Sequence, residues 1–159
     1  RARTSPRRLR QTTRCRSKGI TVPKRSQGGQ AASNGRFAEN IIDSTLRLCG
    51  YRPERQRKIG MGVFDTPIQV DFYLPQLPGY PAGLIIESKW QEIQGTADEK
   101  LCYLVENIRY CYPCPVIIIA GGKGARPGAI KWLKANIDGV HLLAVLSLEE
   151  FVSWCNRTL

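Results

Sequence analysis

Residues 67–74 read Pro-Ile-Gln-Val-Asp-Phe-Tyr-Leu, with Ile68, Val70, Phe72 and Leu74 at every second position. Period two belongs to an extended strand, whose successive side chains point to opposite faces, so the segment reads as a strand with one face in a core. Pro75, Pro78, Gly79, Pro81 and Gly83 follow it and mark a turn. Leu84–Gln91 is then a second strand, with Leu84, Ile86, Ser88 and Trp90 on one face and Ile85, Glu87, Lys89 and Gln91 on the other. It starts apolar and ends charged, as a strand does when it runs from a core into a cleft.

The remaining segments build around this pair. Phe37, Ile41, Ile42, Leu46 and Leu48 have helical spacing, and Gly50 is a plausible stop for a helix over 37–48. Glu39 falls at the edge of that apolar stripe and Asp43 faces solvent. Arg52 to Lys58 reads as a charged connection, followed by a short strand over 59–63. Thr96-Ala97-Asp98-Glu99 has capping-box spacing and opens a helix to about Tyr110. A buried strand over 116–120, a glycine-rich loop over 121–128, a helix over 129–137 and a strand over 140–146 come next. Ser147-Leu148-Glu149-Glu150 is a second capping box and opens the last helix. The order α-β-β-β-α-β-α-β-α predicts an α/β fold, a mixed central sheet flanked by helices. Trp90, Trp132 and Trp154 have core spacing.

Charge divides the chain. Residues 1–36 hold eleven of the 24 Lys and Arg and none of the 13 Asp and Glu, so residues 37–159 carry thirteen of each sign and are neutral. A block so basic and so poor in large apolar residues cannot bury enough surface to order itself. Residues 1–35 are therefore expected to form a flexible basic arm and 36–159 the folded domain. Such an arm binds phosphates by counterion release without reading sequence, or serves as a transit-like leader or a solubilising extension. Because residue 1 is Arg rather than Met, the start is expected to be a processed, trimmed or otherwise incomplete terminus. No apolar run reaches the roughly 20 residues of a membrane span, and the opening residues lack a signal-peptide core.

Six cysteines are spread along the chain, and only Cys111 and Cys114 form a close pair. Structural zinc needs two such pairs, or one with nearby histidines, and the single histidine is His141. Reduced, packed thiols and a cytoplasmic location are the expectation.

The chemistry rests on Asp71 and on Glu87-Ser88-Lys89. If the two strands are neighbours, Asp71 and Glu87 approach to about 5 Å across the ladder. Two carboxylates that close need a positive charge between them, and their oxygens suit a hard divalent cation such as Mg²⁺. Lys89, two residues on and on the same face as Glu87, is placed to orient an attacking water, and Gln91 lies one step further along that face.

These residues resemble the PD-(D/E)XK nuclease superfamily, whose restriction-endonuclease-like fold has an αβββαβ core. Its signature is an Asp on one strand and an acid-x-Lys on the next, often with an acid on a preceding helix. Here Glu39, Asp71 and Glu87-Ser88-Lys89 supply it, although Val70 stands where the signature has Pro. The resemblance implies that Asp71, Glu87 and the Ser88 backbone carbonyl ligate Mg²⁺, for which Mn²⁺ can substitute. It implies that Glu39 reaches the cation through water, that Lys89 positions or deprotonates the attacking water, and that Gln91 matches a family Gln. The implied activity is DNA endonuclease cleavage to 5′-phosphate and 3′-hydroxyl ends, of restriction, homing or repair type, with a homodimer or higher oligomer for double-strand cuts.

Lys100, Lys123 and Arg126 are candidate DNA contacts. Asp98 reads better as a first-turn acid of its helix. The loop over 121–128 lacks the spacing of a Walker motif, so no nucleotide cofactor is expected. Two other readings share the pattern: a DNA-binding module that has lost catalysis, and an α/β interaction protein with a basic tail.

Overall fold

The structure, a computed structural model, describes residues 27–90 and 97–159. Residues 1–26 of the basic arm, Gln91 and the expected cap Thr96 lie outside the described residues. Among the described residues one mixed sheet runs in the order β1 (Glu54–Met61), β2 (Pro67–Leu74), β3 (Leu84–Trp90), β4 (Val116–Gly121) and β5 (Leu142–Leu146). The first two pairings are antiparallel and the last two parallel. Each parallel step crosses over through a helix, α2 (Ala97–Tyr110) and then α3 (Pro127–Ala135). The chain enters by α1 (Gln27–Leu48) and leaves by α4 (Leu148–Thr158).

Two cores sandwich the sheet. On one face Ile42 and Leu46 of α1 and Phe151 and Cys155 of α4 pack on Phe72, Leu84, Ile86, Ile117 and Ile119. On the other, Leu104, Val105 and Ile108 of α2 and Leu133 of α3 cover Ile85, Val116, Ile118 and Val145. Successive residues of β4 serve opposite cores, so the strand is apolar without alternation, as an interior parallel strand must be. This is the α/β architecture expected from the sequence. The second capping box also forms: Ser147 Oγ accepts from the Glu150 N–H, and the Glu150 carboxylate accepts from the Ser147 N–H at 2.6 Å.

The structure departs from the sequence reading in several places. The charged connection over 52–58 is largely β1, an edge strand exposed at all but one position. With a partner on one side only and charged side chains in solvent, an edge strand shows no apolar alternation. Its backbone turns left-handed at Gln56, with φ of 52°. Helix α1 starts at Gln27, so residues 27–35, assigned to the arm, are helical. Its buried face is Ala38, Ile42 and Leu46, whereas Phe37 is 61% and Leu48 88% exposed. Asp43 is partly sheltered rather than facing solvent, with Oδ2 paired to Arg47 at 2.8 Å. Trp132, expected in the core, is 39% exposed.

The departure with most consequence is in β2. Its even-numbered residues are all buried, as the period of two requires, yet Ile68 and Val70 belong to one core and Phe72 and Leu74 to the other. The strand therefore rolls over between Val70 and Phe72. Asp71 is the residue at that roll.

Candidate active site

Strands β2 and β3 pair at Leu74↔Leu84, Tyr73↔Ile85 and Phe72↔Ile86, and there the ladder ends. Continued by one step it would oppose Asp71 to Glu87. Instead the roll of β2 carries Asp71 into the gap between the strands, where its Oδ2 accepts the Ser88 N–H at 2.9 Å. The carboxylate thus takes the place of a missing ladder acceptor. A strand residue directs its N–H and C=O to the same edge, so the Ser88 carbonyl also faces the gap. On the other side Gln56, at its left-handed turn, donates Nε2–H to Asp71 Oδ1 at 3.1 Å.

Glu87 comes from the apolar beginning of β3 and is only 2% exposed. Beyond it β3 stays paired to β4, with Lys89 opposite Ala120, so Glu87 and Lys89 stand two residues apart on one face of a fixed strand. Lys89 Nζ donates to Glu87 Oε2 at 2.6 Å and lies 3.5 Å from Asp71 Oδ2. One ammonium joins both acids, so the three side chains singled out by the sequence are together.

The electrostatics follow from burial. Desolvation raises the pKa of Glu87, with the Lys89 charge opposing it. For Lys89, burial favours the neutral amine, but the Glu87 and Asp71 carboxylates outweigh it and raise the pKa. Lys89 is therefore an ammonium at neutral pH.

A fourth member went unseen in the sequence. Tyr112, in the turn after α2, donates its hydroxyl to Glu87 Oε1 at 2.9 Å. Burial and then the neighbouring Glu87 charge push the phenol pKa far up, so it is a permanent donor. In the sequence that turn is marked only by the close thiol pair of Cys111-Tyr-Pro-Cys114. Cys114 is buried, and that burial pushes its thiol up to about 11. Gln56 likewise hid in a segment read as a connection.

The Glu39 carboxylate pairs with Arg55 of β1 at 2.8 Å. No group of three His, Cys, Asp or Glu suited to a metal gathers among the described residues. The donor set facing the gap is therefore Asp71, Glu87 and the Ser88 carbonyl, all oxygen. It fits a hard divalent cation, since these two carboxylates already converge on one positive charge. Lys100 is exposed on α2, and Lys123 and Arg126 are exposed in the turn between β4 and α3. That turn follows Gly121, which is paired with Trp90, so it lies at the carboxyl end of the parallel strands, beyond Lys89. Among the described residues no helix is long and apolar enough to cross a membrane.

A family model for the PD-(D/E)XK nuclease superfamily domain matches residues 30–159. No curated protein and no solved structure matches the chain significantly.

Proposed function

The chain belongs to the PD-(D/E)XK nuclease superfamily, and on that premise we propose that it is a divalent-metal-dependent DNA endonuclease leaving 5′-phosphate and 3′-hydroxyl ends. The observation that carries the reading is the Lys89 ammonium set 2.6 Å from Glu87 and 3.5 Å from Asp71 at the open end of the β2–β3 ladder. A surface ion pair has no need of a second acid, a sheltered glutamate and a tyrosine donor.

Asp71, Glu87 and the Ser88 carbonyl are the residues to hold Mg²⁺ or Mn²⁺. When bound, such a cation would supply positive charge beside the phosphate and lower the pKa of the attacking water. Everything else falls to the protein. Tyr112 and Lys89 hold the two oxygens of Glu87 in place, and Gln56 and the Ser88 N–H do the same for Asp71. Held charged by both acids, Lys89 acts first as a donor that orients water against the phosphorus. It accepts a proton only when those acids are otherwise engaged, because their charges are what raise its pKa. Lys100, Lys123, Arg126 and the ten Lys and Arg of residues 1–26 offer charge for the phosphate backbone. Glu39, tied to Arg55, takes no direct part, and Gln91 follows the strand that carries Lys89.

One such site makes one cut in one strand, so a double-strand break calls for two copies. The test is nicking of supercoiled plasmid. Activity in Mg²⁺, loss in EDTA and loss in Lys89→Ala with DNA binding retained are the expected results. Cleavage by Lys89→Ala at the wild-type rate overturns the assignment.

A further inference from the structure

The hairpin joining β1 to β2 presents Met61, Val63 and Phe64, which are 52%, 40% and 74% exposed. Exposed apolar side chains on a loop ordinarily go unsupported, but this tip is braced from several sides. The Val63 N–H donates to Asn107 Oδ1 at 2.9 Å, and Asn107 is itself only 4% exposed. Within the loop, Gly62 N–H bonds the Thr66 carbonyl at 2.8 Å and Asp65 N–H the Gly62 carbonyl at 2.9 Å. Tyr103 of α2 hydrogen-bonds Thr66 through its hydroxyl. Its ring stacks on Phe64, with centroids 5.2 Å apart and planes 2° from parallel. A Cβ at Gly62 would come within 2.7 Å of Asn107 Oδ1 and 2.8 Å of the Tyr103 hydroxyl, so a larger residue there would displace both side chains.

The outcome is a flat aromatic ring held rigidly in water, its second face open. Burying that ring would be favourable, yet the structure spends a buried amide and a tyrosine on keeping it displayed. The position matters as well. From Thr66 to Asp71 is five strand residues, about 17 Å at about 3.3 Å each. That is about five steps of 3.4 Å along a nucleic-acid strand. Lys58, exposed on the same hairpin and without a partner among the described residues, adds a cation for the backbone in between.

We infer that Phe64 is a stacking platform for one unpaired base of the nucleic-acid substrate, so that the site prefers strands with an exposed base to intact duplex. This rests on the nuclease reading and specifies its substrate. The single open face decides the kind of contact. A side chain wedged between two base pairs needs both faces free, and Tyr103 already covers one. A ring with one open face stacks on a single base free of its partner strand, as an overhang, flap or unpaired nucleotide presents it and the paired ends of a blunt duplex do not.

The test measures binding in EDTA, by fluorescence anisotropy, to a short blunt duplex and to the same duplex with a single-stranded overhang. Phe64→Ala should weaken overhang binding about tenfold and leave the blunt duplex unchanged, with Phe64→Trp restoring the difference. A fluorescent adenine analogue in the overhang should be quenched by the wild-type protein, a readout independent of any variant. An overhang affinity unaffected by Phe64→Ala, an equal loss for both probes, or no quenching overturns the inference. Should plasmid nicking in Mg²⁺ be absent while the overhang preference and its Phe64 dependence are present, the inference stands and the nuclease reading is what fails.

Discussion

The Tyr112 hydroxyl donates to Glu87 Oε1 at 2.9 Å, across 25 residues of chain, while Lys89 donates to the other oxygen, Oε2, at 2.6 Å. Glu87 is buried, and a buried acceptor left unpaired costs about 1–3 kcal/mol. Tyr112→Phe removes the donor with little change in volume. We expect a loss of about 1–2 kcal/mol in denaturant unfolding and about a tenfold fall in nicking rate from the loosened Glu87. Wild-type values for both would mean that Tyr112 only fills space.

Asp71 has a structural and a chemical task, and one substitution separates them. In Asp71→Asn the side-chain carbonyl can still accept the Ser88 N–H, whereas the negative charge is gone. Thermal stability should stay near wild type while cleavage falls at least about a hundredfold. Equal loss of folding and cleavage would assign Asp71 to the sheet alone.

The family resemblance implies that Glu39 reaches the cation through water, and in the structure its carboxylate pairs with Arg55. Glu39→Gln should therefore slow cleavage less than about tenfold, against the hundredfold or more for Asp71→Asn and Lys89→Ala. A loss as deep as theirs would return Glu39 to the metal's surroundings.

Away from the site, Asp138 ties off the turn into β5. Partial burial pushes its pKa up, but the N–H groups of Val140, His141 and Leu142 and the His141 ring together hold it well below the ordinary carboxylate range. A pKa depressed on folding stabilises the native state above the unfolded value of about 3.9, and that contribution fades as pH falls through the native one. Asp138→Ala should cost about 1–2 kcal/mol at pH 7. The gap between the two proteins should close only below about pH 4. A gap constant down to strongly acidic pH would show that the carboxylate charge plays no part.

Residues 1–26 carry ten Lys and Arg and no acid. Removing them should flatten the salt dependence of DNA binding, since fewer counterions are released, with the cleavage rate at saturating DNA retained. Titrations at several salt concentrations check this, and an unchanged slope would exclude the arm from binding.

How much of this was legible beforehand depends on the range of the interactions that decided each feature. Period two identifies β2, and an apolar run that turns charged identifies β3, which together put Asp71 one strand away from Glu87 and Lys89. Ser147 and Glu150 were readable because a capping box closes within four residues. Of the edge strand β1 only the end is legible, as part of the short strand over 59–63, since alternation appears only where one face is buried and β1 buries almost nothing.

The sequence by itself therefore determined the α/β class, the central strands and the three charged residues they carry. Tertiary structure decided how those residues meet. The roll of β2 between Val70 and Phe72 turned Asp71 from a cross-strand neighbour into a bridge to the Ser88 amide. It arises because Ile68 and Val70 are claimed by one core and Phe72 and Leu74 by the other, a competition no local pattern encodes. Tyr112, Gln56 and the support of Phe64 by Tyr103 and Asn107 also come from distant segments. Only the packing of helices on a finished sheet sets such distances.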